Sequence, residues 1–279
     1  MNLVIQSPEP LSSVHHKPLA ALARGGRVEP VDAHAIRIGN ASPGQRADID
    51  AYCSTHGLDY AYVEPGRTLA QFGLVAMDMD STLITIECID EIADFCGLKK
   101  EVAAITEAAM RGEIKDFDES LTRRVALLEG LDASALERVY DERLRLSPGA
   151  GRMLAGAKAA GLKTLLVSGG FTFFTERLKA RLGLDFTRAN TLEIVDGKLT
   201  GRVSGEIVNA DVKARTLVET CRTLGIGPHR AIAMGDGSND LKMMAEAGLS
   251  VAFRAKPVVR EAASVAFNHV GLDGLLRLF

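Results

Sequence analysis

The sequence has little cysteine, no excess of either charge and no long apolar run. Its four cysteines, Cys53, Cys88, Cys96 and Cys221, lack C-x-x-C spacing and the density of a secreted disulfide scaffold. Free thiols in a reducing compartment follow, and a cytoplasmic location is expected. Lys and Arg number 33 against 36 Asp and Glu, a net charge of -3. That balance gives no general attraction to nucleic acid or to an anionic membrane, and no nucleic-acid reading motif is present. No apolar segment reaches the roughly 18 residues that span a bilayer. Met1–Pro10 carries prolines and a glutamate where a signal peptide needs an apolar stretch, so none is expected. The adjacent His15 and His16 would point apart on a helix and read as surface residues.

What is present is an ordinary globular composition, 47% hydrophobic and 25% charged, over a length that suggests two domains. Residues 1–70 read as β-α-β-β-α-β. Asn2–Gln6 is a strand and Ser12–Arg24 a helix, "GGRVEP" and "HAIRIG" are strands about a turn, "SPGQRADIDAYCSTHG" is a capped helix, and "LDYAYVE" is a strand. This predicts a small α+β domain with its helices on one sheet face, followed by the linker "PGRTLAQFG". From Gly73 the texture changes. "LVAMD", "KTLLVSGG", "RAIAMGDG" and "LSVAF" are short continuous apolar runs beside helical sequence, the pattern of strands buried on both faces of a parallel sheet. The core of this second domain is thus placed at 71–86 and 147–279. Between its first two strands, residues 87–146 carry helical spacing over Lys99–Arg111, Asp116–Leu128 and Ala133–Arg143. That is too long for a plain crossover and predicts a helical cap. "TLEIVDGKLTGRV" predicts a hairpin turning at Asp196–Gly197.

Three of the apolar runs end in polar or glycine-rich sequence, "DMDST", "SGG" and "GDGSND", where ligands bind in open α/β sheets. Asp78 and Asp80, two apart on a strand, share a face. Asp236 and Asp240 form a second carboxylate pair. Gathered carboxylates repel unless a cation sits among them or one carries a proton, and all-oxygen ligation suits Mg2+. The plain alternative is two Asp-rich turns, with Asp236 and Asp240 capping a helix at Asp240–Ala247. "VSGGF" offers the Ser168 hydroxyl and glycine amides as an anion cradle, and Lys213 opens a helix ahead of the Asp236 strand. Dinucleotide, Walker A and G-x-S-x-G spacings are all absent. Carboxylates, a hard cation, an anion cradle and a lysine amount to equipment for phosphoryl transfer, with hydrolysis through an aspartyl phosphate the natural reading where no ATP loop exists.

These motifs, in this order, resemble those of the haloacid dehalogenase-like hydrolase superfamily, and more narrowly of its phosphoserine phosphatases. The narrower likeness rests on "MDMDSTLITIECIDEIA", "AMRGEIKDFDESLTRRVALL", "LLVSGGF", "DGKLTG", "GDGSNDLKMM" and "AFRAKP". The resemblance implies an α/β Rossmannoid parallel sheet with a helical cap inserted after its first strand. It also implies hydrolysis of O-phospho-L-serine to L-serine, the last step of serine biosynthesis. It makes Asp78 the nucleophile and Asp80 the general acid and base. Asp78, Asp236 and the backbone carbonyl of Asp80 would bind Mg2+, with Asp240 behind them. Ser168, the Gly169 amide, Lys213 and Asn239 would hold the phosphoryl group. Glu87 would read the substrate ammonium, Arg124 its carboxylate, and Phe117 would cover it. Two other readings compete: action on another small amino-acid or alcohol phosphate, including transfer to homoserine, and a non-catalytic metabolite sensor built on this fold. The N-terminal pattern is similar to ACT-like amino-acid-binding domains, which implies a regulatory or dimerising role in a monomer or homodimer.

Overall fold

A computed structural model gives the fold, described here for residues 1–110, 113–114 and 116–279. The chain begins with β1 (Asn2–Gln6), α1 (His16–Leu22), β2 (Val28–Asp32), β3 (Ala35–Ile38), α2 (Arg46–His56) and β4 (Asp59–Val63). The strands form an antiparallel sheet in the order β2-β3-β1-β4, the split β-α-β arrangement. Helix α2 ends where Gly57 takes the left-handed conformation at φ 65°, open to a residue without a Cβ. The sheet alternates as a strand must. Leu3 and Ile5 pack with Leu19, Ile49 and Cys53 of the two helices, while Val4, Ala61 and Val63 join the core of the rest of the chain. The small sheet is therefore covered on both faces, by its own helices and by the body of the molecule.

After a 3-10 turn at Leu69–Gln71 the chain enters β5 (Leu74–Met77), then α3 (Cys88–Phe95), α4 (Lys99–Met110), α5 (Phe117–Ala126) and α6 (Ser134–Arg138). It continues through α7 (Ala150–Ala159), β6 (Lys163–Phe171), α8 (Thr172–Leu182), β7 (Phe186–Val195), β8 (Lys198–Ser204) and α9 (Ala210–Thr223). The last elements are β9 (Ala231–Gly235), α10 (Leu241–Glu246), β10 (Leu249–Phe253), α11 (Pro257–Ala262) and β11 (Val265–Phe267). The seven-stranded sheet runs β11-β10-β9-β5-β6-β7-β8, parallel except for β8. Val75 and Met77 of β5 face one core layer and Leu74 and Ala76 the other, as do Ile232 and Met234 against Ala231 and Ala233 in β9. Burial on both faces explains why these strands read as continuous apolar runs.

Helices α3 to α6 form the cap after the first strand of this sheet. The reading of a helix to Arg111 ends on a residue outside the described ones, as do Gly112 and Lys115. The helix expected over Ala133–Arg143 is divided: α6 gives way to one wider turn at Val139–Arg143. The hairpin turns at Asp196 and Gly197, both with positive φ (50° and 75°), which matches the twist of paired strands. Its tip also bonds the cap, through Gly130 N to Leu199 O (2.8 Å), Leu199 N to Leu131 O (2.9 Å) and Ala133 N to Gly197 O (2.8 Å).

A buried carboxylate fastens the N-terminal sheet to the end of the chain. Asp59, 1% exposed, accepts the backbone N–H groups of Asn268, His269 and Val270 at 2.9, 2.8 and 2.9 Å. Gln6 Nε2 adds a bond to Gly274 O at 3.1 Å, and Arg277 reaches Asp32 at 2.7 Å. Asp59→Ala leaves three N–H groups without an acceptor, and the expected loss is about 3 kcal/mol or more of folding stability in urea unfolding. An unchanged midpoint would mean that the two parts are held by apolar packing alone.

Candidate active site

Strands β9, β5 and β6 lie side by side at the centre of the large sheet, so their carboxyl ends open into one place. Asp78 follows β5 directly. The backbone is extended at Asp78 and again at Asp80, and Ser81 then turns through the left-handed region at φ 54° to send the chain toward the cap. Both carboxylates are thereby left at the strand end. Asp236 follows β9, and Ser168, Gly169 and Gly170 lie in the last part of β6. A cavity of about 580 Å³ opens here, lined by Asp78, Asp80, Ser168, Gly169, Asp236 and Asn239 from the core. Glu87, Phe117 and Arg124 line it from the cap side. Lys213 and Asp240 stand behind Asp78, both fully buried.

The electrostatics of this end are dominated by crowding. Lys213 Nζ lies 2.9 Å from Asp78 Oδ1 and 2.8 Å from Asp240 Oδ1. Asp240 Oδ2 accepts the Gly237 N–H at 3.2 Å, and a Cβ on Gly235 would collide with the same carboxylate. Burial disfavours the charge on Lys213, but the two aspartates outweigh it and hold the ammonium protonated well above its usual range. Burial, then repulsion from Asp240, pushes Asp78 well up despite the lysine. Asp236 is raised to about 6 by burial and by Asp240. Asp80 is raised to about 7 by burial and by Glu87, against the Cys88 N–H that donates to it at 3.2 Å. Asp78, Asp236 and Asp240 each offer an oxygen, all within 4.8 Å of one another. Three carboxylates around one ammonium leave a deficit of positive charge that a hard divalent cation meets, and the donors are all oxygen. Mg2+ fits this cluster.

The end of β6 is built from short contacts. Ser168 Oγ accepts the Gly170 N–H at 2.8 Å, and a Cβ on Gly170 would lie 2.6 Å from Asp80 Oδ2. Asn190 Nδ2 donates to Gly169 O at 2.7 Å, fixing the turn from behind. Phe117 lies over Gly169 so closely that a Cβ there would be 2.9 Å from its Cζ. On the cap side Glu87 accepts the Ser81 hydroxyl at 2.6 Å and is raised by burial. Arg124 is lowered by burial, against the pull of Asp90, Glu87 and Asp80.

The profile of haloacid dehalogenase-like hydrolases matches residues 75–245. The chain is a haloacid dehalogenase-like hydrolase. It is closely related to phosphoserine phosphatases. That of Polaromonas sp. is 60% identical over 226 residues, covering 80% of this chain and 96% of the relative. That of Albidiferax ferrireducens is 58% identical over 227 residues, with the same coverage of 80% and 96%. A family hydrolase from Salmonella enterica serovar Typhi superposes with a TM-score of 0.89 at 36% identity, over 99% of this chain and 98% of that one. A probable phosphoserine phosphatase from Vibrio cholerae gives 0.85 at 37% identity, over 99% and 85%. Residues 3–49 match a domain of unknown function.

Some residues of this hydrolase's cavity were not singled out by sequence reasoning. Asp90 lines it, one turn beyond Glu87 on the same helix face, and its Oδ1 is buried without a hydrogen-bond partner. The i, i+3 spacing was the signal for it. Lys256, inside "AFRAKP", also lines it, and Thr82 Oγ1 donates to Asp236 at 3.4 Å. Replacing Lys213 by Met leaves Asp78 and Asp240 buried without their counter-charge. The expected cost is about 3–5 kcal/mol in denaturant unfolding. Full stability in Lys213→Met would show that the carboxylates tolerate each other without the ammonium.

Proposed function

We propose that this hydrolase converts O-phospho-L-serine and water to L-serine and phosphate, as the last step of serine biosynthesis, through a phosphorylated Asp78. The observation that carries the reading is a pair of opposite charges, Glu87 and Arg124, lining the same cavity as Asp78 and Asp80. An α-amino acid phosphate carries a matching ammonium and carboxylate, and its phosphoryl group would then lie toward Ser168 and Lys213. The identity of 60% to a phosphoserine phosphatase over most of both chains supports the same substrate.

In this mechanism an Asp78 oxygen attacks phosphorus as the bond from phosphorus to the serine oxygen breaks. Asp80 gives its proton to that leaving oxygen. Water then attacks the acyl phosphate, Asp80 takes up its proton, and phosphate leaves with Asp78 restored. The raised pKa of Asp80, about 7, suits a group that must hold a proton in one step and accept one in the next. Asp78, Asp236 and the Asp80 carbonyl would hold Mg2+, which when bound would supply positive charge against the phosphoryl oxygens. Ser168, the Gly169 amide, Lys213 and Asn239 bind those oxygens, and Asp240 keeps Lys213 charged and aimed. Arg124 grips the substrate carboxylate in a fork that lysine would not reproduce. Phe117 covers the bound substrate and keeps bulk water out.

We further propose that residues 1–70 are an ACT-like domain, on the strength of their strand order and paired helices. A serine-binding or dimerising role would follow. Four free cysteines, three of them buried, support a cytoplasmic setting.

The test is phosphate release from L-phosphoserine with and without Mg2+, with product analysis for transfer to added homoserine. Chelation is expected to abolish turnover, and Asp78→Asn to lower kcat by about a thousandfold or more. Arg124→Lys is expected to reduce kcat/KM for phosphoserine roughly tenfold. A folded, Mg2+-loaded enzyme inert to phosphoserine overturns the substrate, and activity surviving in Asp78→Asn overturns the covalent route.

A further inference from the structure

Helix α5 carries Phe117 and Arg124, yet most of its side-chain hydrogen bonds are spent within itself. Thr122 donates to Asp118 O, Arg123 pairs with Glu119, and Arg124 donates to Ser120 O. One side-chain hydrogen-bonded pairing, among the described residues, leaves the helix for the core rim. Asn209 Nδ2 donates to both oxygens of Asp118, at 3.1 and 3.2 Å.

Each partner sits where it would couple the two halves of the cavity. Asn209 is the N-cap of α9: its Oδ1 accepts the N–H groups of Asp211 and Val212 at 3.1 and 3.2 Å, and its carbonyl accepts that of Lys213 at 2.9 Å. The preceding Val208 N–H is held by Asn190 Oδ1 at 2.8 Å, and Asn190 also fixes Gly169. Asn209 is thus locked to the two groups that frame the phosphate end. Asp118 immediately follows Phe117, which lies on Gly169, and precedes Arg124 on the same helix.

We propose that Asp118 and Asn209 form the latch that holds the cap shut over the phosphate end of the cavity. Both are positioning residues: neither lines the cavity, and their bond sets where Phe117 and Arg124 stand relative to Lys213 and Gly169. A carboxylate held by a neutral amide is a charge-assisted bond without a formal cation. Such a bond biases the cap toward closure and still parts for product release. The inference deepens the phosphatase reading and rests on it for its kinetic arm.

Asn209→Asp keeps an N-cap acceptor for α9 but sets two carboxylates against each other, and adding Asp118→Asn restores a donor and acceptor with the roles exchanged. Hydrogen exchange at residues 116–121, in the full chain with Mg2+ and inorganic phosphate, reads closure without any substrate. Thermal melting checks that each variant is folded. Exchange there is expected to quicken in Asp118→Ala and in Asn209→Asp, and to return toward wild type in the double variant. With phosphoserine, Asp118→Ala should raise KM about fivefold with kcat altered less than about twofold, and Asn209→Asp should raise KM about tenfold. The double variant should recover to within about threefold of wild type. A purely structural loss would lower kcat with the folded fraction and leave KM alone. Unchanged exchange and KM in Asp118→Ala, or a double variant no better than Asn209→Asp, overturns the latch. If wild type ignores phosphoserine, the substrate reading falls, and the exchange measurement still decides the latch.

Discussion

The buried ammonium of Lys213 is the contact around which the active end is assembled. It meets Asp78 and Asp240 at 2.9 and 2.8 Å and is fully buried. Each of the three comes from a different segment of the core: Asp78 from the end of β5, Lys213 from the first turn of α9, and Asp240 from the turn after β9. Carboxylates this close in a site of low dielectric repel strongly, and only a cation between them makes the arrangement tenable. The lysine therefore does structural and chemical work at once. It draws the start of α9 and the loop after β9 against β5, and it shares Asp78 Oδ1 with the Met79 N–H, which donates to that oxygen at 2.7 Å. What remains is a negative cluster short of positive charge, which is the condition for holding Mg2+.

The cap answers with a different kind of selectivity. The core end offers carboxylates, a hydroxyl and backbone amides, the donors and acceptors that the proposed phosphoryl chemistry calls for. Glu87, Asp90 and Arg124 add charges of both signs within the same cavity. A cavity of about 580 Å³ with cations and anions at separate points favours a small molecule that is itself charged at several places. In the proposed function, chemistry and choice of substrate are divided between the sheet and the helices laid over it.

The sheet and its inserted cap were legible because the relevant signals are local. Strands buried on both faces leave unbroken apolar runs, and "DMDST", "SGG" and "GDGSND" interrupt those runs where the strands end. The hairpin at Asp196–Gly197 announced itself through two residues suited to positive φ. Features set by distant partners were not legible. Nothing near Ala133–Arg143 marks the break after Arg138, and nothing in the hairpin sequence says that Leu199 bonds Gly130 and Leu131. Asp90 was passed over because an aspartate in the first turn of a helix is ordinary until Arg124 and Glu87 are seen beside it. Asp59 likewise reads as an ordinary strand residue in the sequence, since the three N–H groups that donate to it lie far along the chain.

That last separation bears on how the molecule is made. Asp59 is 209 to 211 residues away from the N–H groups it receives, and Gln6 is 268 residues from Gly274. During synthesis the small sheet emerges first and can pair its strands and cover one face with α1 and α2. Its other face, with Val4, Ala61 and Val63, must wait for almost the whole chain to be translated. Until then a carboxylate and an apolar surface stand open to solvent, a stage at which the nascent chain is vulnerable to association with others. This interface accordingly closes late, when residues 268–274 fold back onto strands made long before them.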